Sequence, residues 1–91
     1  MDTERLDLWN ELRTLCASIM SVPAQDVVPQ ALLVADLGAD SLDITELQAA
    51  SEEHFGVSFK GTDPAAVSTV GDVADLIARL RTVAAPGVVT A

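Results

Sequence analysis

The sequence of 91 residues predicts an all-α up-and-down bundle: three main helices, one short helix and a long loop after the first helix. Three observations carry that expectation. Apolar residues recur at spacings of three and four in three separate stretches, the periodicity of helices with one buried face. Nearly half of the chain is apolar (49%) but aromatics make up only 3%, so the core has to come from Leu, Val, Ile and Ala, which suits packed helices. Pro23, Asp40, Gly56 and Thr69 punctuate the stretches with stop and start chemistry. A chain of this length makes one small domain, expected over residues 1–83, followed by a flexible tail over 84–91.

The first helix is expected over residues 3–20. Leu8, Leu12, Leu15 and Ile19 form its apolar stripe, with Trp9 half-buried beside it. Thr3 is placed to cap it, and Glu4 and Asp7 suit the positive end of its dipole. Cys16 borders the stripe and reads as a small core residue, with no Lys, Arg or His near it to make a reactive thiol. Pro23 is expected to end this helix. Residues 21–40 then form a loop long enough to need anchors, and Leu32, Leu33, Val34 and Leu37 are expected to supply them while Asp36 stays outside.

The second helix is expected over residues 41–55. Leu47, Ala50 and Phe55 share one face, with Leu42 and Ile44 nearer the start. Ser51 falls on the inward side, where a large apolar residue belongs. Gly56 is the expected C-cap, and Val57 and Phe59 alternate with polar neighbours in an extended segment. Asp63 to Val67 suits one short helix with Pro64 in its first turn. Thr69-Val70-Gly71-Asp72 resembles a capping box with Asp in place of Glu. Val70, Val73, Ile77 and Leu80 mark the last helix, expected to end near Arg81.

The formal net charge is −9, and no Lys or Arg stands between Arg13 and Lys60. That balance argues against nucleic acid and anionic membranes and favours basic protein partners. Cys16 is the only cysteine, so no internal disulfide is expected and a reducing compartment fits. The start of the chain is acidic, without the apolar core of a signal peptide, and no apolar run is long enough to span a membrane. Met1 and the short tail point to a free-standing chain. A cytoplasmic monomer is the expectation.

The acids gather around one serine. In Asp36-Leu37-Gly38-Ala39-Asp40-Ser41-Leu42-Asp43, Gly38 permits a backbone turn and Asp40 is the N-cap candidate for the second helix. Ser41 is then expected in the first helical turn, exposed and outward. No base is at hand to activate it, so it reads as a target of modification rather than a nucleophile. Asp40, Asp43, Glu46, Glu52 and Glu53 make a face of one sign, which acts as a steering field for a partner.

Leu37-Gly38-Ala39-Asp40-Ser41-Leu42-Asp43 resembles the phosphopantetheine attachment motif of acyl carrier proteins. The resemblance continues through Glu46-Leu47, through Ser51-Glu52-Glu53-His54-Phe55-Gly56-Val57 and through Ser68-Thr69-Val70-Gly71-Asp72-Val73. It covers about residues 8–81 without an obvious insertion. It implies that Ser41 carries a 4′-phosphopantetheine arm, taken from coenzyme A and joined through a phosphodiester, whose thiol holds acyl groups as thioesters. It further implies that Asp40, Asp43, Glu46, Glu52 and Glu53 meet basic patches on partner enzymes, with Ala49 on the same partner-binding face. Those partners are a phosphopantetheinyl transferase and acyl-loading and ketosynthase-type enzymes. Two positions depart from the common pattern. Ala49 stands where a larger apolar residue often docks into partners, and Ser51 stands where fatty-acid members have a bulky apolar residue lining the acyl cavity. These departures favour a carrier dedicated to polyketide or other specialised metabolism. The alternatives are a housekeeping fatty-acid carrier and an aminoacyl or peptidyl carrier. The latter more often has Gly-Gly-His/Asp-Ser before the attachment point, so Ala39-Asp40 favours an acyl carrier.

Catalysis and metal binding fit the residues less well. Gly38-Ala39-Asp40-Ser41-Leu42 is similar to the Gly-Asp-Ser-Leu esterase motif, but Ala39 interrupts it. His54, the only histidine, lies about 20 Å from Ser41 along the same helix, too far for a triad. The protein is therefore expected to be a cosubstrate of its partners and not an enzyme. Asp36, Asp40 and Asp43 lack the ligand spacing of an EF-hand loop, and no metal site is expected.

Overall fold

The computed structural model describes residues 2–63 and 67–84, with side chains described for 6–63 and 67–81. Among the described residues the chain is all-helical, with one isolated antiparallel bridge between Leu32 and Thr69. Helix α1 spans Asp2–Met20, α2 spans Ser41–Phe55 and α3 spans Val70–Ala84, with a short 3-10 turn at Ala24–Asp26. The short helix expected over Asp63–Val67 falls mainly on residues 64–66, outside the described residues. Of the tail expected over 84–91, Ala84 is the last residue of α3 and the rest lies outside the described residues.

Helix α1 buries Leu8, Leu12 and Cys16, while Leu15 and Ile19 are only half-buried, as is Trp9. The stripe therefore turns one position from the expected one: Cys16 sits deeper than Leu15. Burial pushes the Cys16 thiol up to about 11, which makes it the inert small core residue expected. Two terminal expectations need correction. The helix starts at Asp2, so Thr3 lies inside its first turn and not at the cap. The stop is not Pro23 but Ser21, whose φ of 56° is left-handed. There the Val22 N–H donates back to the Ala17 carbonyl at 3.1 Å, the bond that closes a helix C-terminus. Pro23 instead precedes the 3-10 turn.

The long loop is held mainly by backbone hydrogen bonds to distant elements. Arg13 Nε of α1 donates to the Ala24 carbonyl at 2.9 Å. The N–H groups of Val70 and Gly71, at the start of α3, donate to the carbonyls of Ala31 (3.0 Å) and Pro29 (2.8 Å), and Leu33 N–H donates to Ser68 (3.0 Å). A Cβ on residue 71 would stand 2.8 Å from the Pro29 oxygen, so only glycine lets α3 dock this closely on the loop. The side-chain anchors are Val27, Ala31, Leu33, Leu37 and Ala39. Leu32 and Val34, expected as anchors, point outward with 40% and 66% of their surface exposed. The bonds of the loop to α3 decide which alternate side chains face inward.

Helix α3 begins at the expected capping box. Asp72 N–H donates to Thr69 Oγ1 at 3.0 Å, and the Asp72 carboxylate accepts from the N–H groups of Ser68 (2.9 Å) and Thr69 (3.1 Å). Val70, Val73 and Ile77 are buried and Leu80 half-buried. The helix runs past Arg81 to Ala84, longer than its apolar repeat indicates.

The two backbone N–H groups hold the Asp72 carboxyl below its usual value, the Ser68 bond contributing most. A depressed folded-state pKa gives stability that is full above the ordinary aspartate value of about 3.9. That stability is lost as pH falls through the lower folded-state value. Asp72→Asn should therefore be less stable than wild type at pH 5, and urea melts should show the gap closing as the medium is acidified toward pH 2. A gap independent of pH would mean that the charge of Asp72 plays no part.

Candidate functional site

The loop delivers the chain to α2 through a tight turn. Leu37 N–H donates to Leu32, Gly38 N–H to Val34 and Ala39 N–H to Leu33, at 2.9–3.1 Å. Gly38 takes a left-handed φ of 73°. The Asp36 carboxylate, outside as expected, accepts from Leu32 N–H at 2.8 Å and closes the turn. Asp40 then caps α2. Its Oδ1 accepts from Asp43 N–H at 2.8 Å, and Asp43 Oδ2 accepts from Asp40 N–H at 3.2 Å. This reciprocal box has the same spacing as Thr69 to Asp72, so Asp43, three residues after Asp40, is its signal in the sequence.

Ser41 is the first residue of α2 and is exposed. The box occupies the Asp40 and Asp43 amides and leaves those of Ser41 and Leu42 outside its bonds. A negative group on the Ser41 oxygen would therefore meet the positive end of the helix. The Asp40 and Asp43 carboxylates that flank it in sequence are turned to backbone N–H groups, which softens their repulsion.

The predicted partner residues fall into two sets. Glu46, Ala49 and Glu53 are exposed and line up at helical spacing behind Leu42. Leu42 was expected to open the inward pattern, but 75% of its surface is exposed. It heads the acidic stripe instead, because the cap orients the first turn and places Ile44 inward. Asp40 is exposed and Asp43 half-buried in the box. Glu52 is half-buried, and its Oε2 accepts from Phe59 N–H at 2.8 Å, tying the extended segment back to α2. His54 sits in the last turn, as expected, with Nε2 3.0 Å from Glu11 Oε1 of α1. Phe55, expected to be buried, is half-buried, packed edge-on against His54 and under the Arg81 guanidinium at 5.9 Å.

A cavity of about 130 Å³ opens between α2 and α3, lined by residues that include Leu33, Ile44, Leu47, Ser51, Phe59 and Leu76. Ser51 is wholly buried, on the inward side as expected.

Residues 10–77 match the family model described as the phosphopantetheine attachment site. Acyl carrier proteins of Helicobacter pylori strains G27 and HPAG1 are each 41% identical over 70 residues, covering 77% of this chain and 90% of theirs. This chain belongs to the acyl carrier protein family. Its cofactor is 4′-phosphopantetheine, held covalently, and it is a carrier that partner enzymes act upon, not a catalyst. The residues fit that group: an exposed hydroxyl stands at a helix N-terminus, and a mostly apolar cavity, with Gln48, Ser51 and Thr62 in its wall, opens along the same helix. Among the described residues the carrier has no helix long and apolar enough to cross a membrane.

Proposed function

We propose that Ser41 is the attachment point of the arm and that the carrier serves a dedicated pathway such as polyketide assembly. The observation that carries the attachment is an exposed serine at the first position of a helix whose cap leaves its amides open to a phosphate. When bound, the group supplies a thiol that holds acyl chains as thioesters. The protein's own residues display that thiol, dock partners and shelter the chain. Ser51 supports the dedicated pathway, since it gives a polar spot to an interior that a fatty-acid carrier would line with a bulky apolar residue. Housekeeping fatty-acid synthesis is the second reading, and the apolar majority of the cavity wall favours it. Intact mass after co-expression with candidate loading enzymes reads both the arm and its cargo. Only saturated fatty acyl cargo would overturn the dedicated pathway.

Leu42, Glu46, Ala49 and Glu53 form the proposed docking stripe for the transferase and for acyl-loading and ketosynthase-type enzymes, with Asp40 and Asp43 beside the arm. Glu52 adds to the field while one of its oxygens holds Phe59. Charges of one sign steer encounter more than they fix final affinity. Their reach falls as the Debye length shortens from about 10 Å at 0.1 M salt to about 3 Å at 1 M. Glu46→Lys should slow arm attachment through the association rate, and 1 M salt should remove most of the difference. Asp7→Lys, an exposed change on α1, should do little. Equal slowing by both variants in a stopped-flow or mass assay would reduce the stripe to a solvated surface.

A further inference from the structure

We propose that the cavity between α2 and α3 favours an acyl chain bearing an oxygen, and that the Ser51 hydroxyl donates a hydrogen bond to it. The inference rests on the reading of Ser41 as the attachment point. Ser51 is wholly buried, and its Oγ has no hydrogen-bond partner among the described residues. A hydroxyl inside a helix commonly returns its hydrogen to the carbonyl one turn back. Thr14 does so to Asn10 and Thr45 to Ser41. Ser51 makes no such bond.

A buried polar group without a partner is costly and uncommon, and this one lines the cavity. Ile44, one turn below Ser41, lines it too, so a chain entering beside Ile44 reaches Ser51 about 10 Å further along the helix. A plain methylene there leaves the hydroxyl orphaned. A keto or hydroxyl oxygen at that depth accepts its hydrogen, while Leu33, Leu47, Phe59 and Leu76 pack the rest of the chain.

The test loads the holo-carrier with octanoyl and with 3-oxo-, 5-oxo- and 7-oxo-octanoyl chains, each confirmed by intact mass. Thermal melts are then compared for wild type and Ser51→Ala. In wild type at least one keto chain should raise Tm about 4–8 °C above octanoyl, the shift one net hydrogen bond brings to a domain of this size. Ser51→Ala should abolish that preference while tolerating octanoyl as well as wild type does. Ser51→Cys, close in shape with a weaker donor, should lose most of it, and decides the matter if the alanine variant does not fold. Equal Tm for all four chains in wild type, or the same preference in Ser51→Ala, would overturn the proposal and leave the hydroxyl serving a buried water. Absence of the arm from Ser41 would overturn the attachment reading instead. The cavity's preference would then be read from the same four acyl groups as pantetheine thioesters added to the apo-carrier.

Discussion

Ser41→Ala should leave the carrier folded and wholly without its arm. Wild type incubated with coenzyme A and a broad-specificity phosphopantetheinyl transferase should gain one arm by intact mass, and the variant none. The fold should not notice. Ser41 is exposed at the first position of α2, and its side chain takes no part in the cap, which runs between Asp40 and Asp43. Its carbonyl, which accepts from Thr45 Oγ1 at 2.9 Å, remains in alanine. An exposed change outside the core and outside the hydrogen bonds of the cap costs within about 0.5 kcal/mol, so circular dichroism and Tm should match wild type. The loss of modification is then chemical and not structural. Ser51→Ala is the matched control: its hydroxyl is buried beyond a transferase's reach, and it should still gain the arm. An arm on the Ser41→Ala protein would move the attachment point elsewhere.

Leu12→Ala should bring the largest loss of stability. Leu12 is wholly buried in the middle of α1, the helix that packs against both α2 and α3. Removing its side chain loses transfer free energy and leaves a cavity, together about 2–5 kcal/mol. A domain of this kind has only about 5–15 kcal/mol in total, so the urea midpoint should fall by a large fraction with little change of slope. Leu6→Ala, on the same helix but at a residue 60% exposed, should cost within about 0.5 kcal/mol. Matching midpoints for the two variants would mean that α1 presents another face to the core.

Much of the site was legible because its signals are local. The cap at Asp40, the box at Thr69 to Asp72 and the C-cap at Gly56 each act within one helical turn. So the start of α2, and Ser41 at its first position, followed from the order of a few residues. The inward place of Ser51 followed from helical periodicity alone.

Other features needed partners far away in the chain. Leu32, Leu33 and Val34 are interchangeable as apolar residues, and only the bond from Leu33 N–H to Ser68 and the bridge from Leu32 to Thr69 turn Leu33 inward and its neighbours out. Glu52 read as one more surface acid until the extended segment returned Phe59 N–H to it. Local patterns by themselves determined the three main helices, both ends of α2, the start of α3, the acidic face and the serine at the joint, since those depend on contacts three or four residues apart. The tertiary structure alone decided which loop side chains are buried, that Leu42 heads the exposed stripe, and that Ser51 lines a cavity with an unpartnered hydroxyl. Burial and hydrogen-bond satisfaction are properties of what packs opposite a residue, and no local pattern names that neighbour.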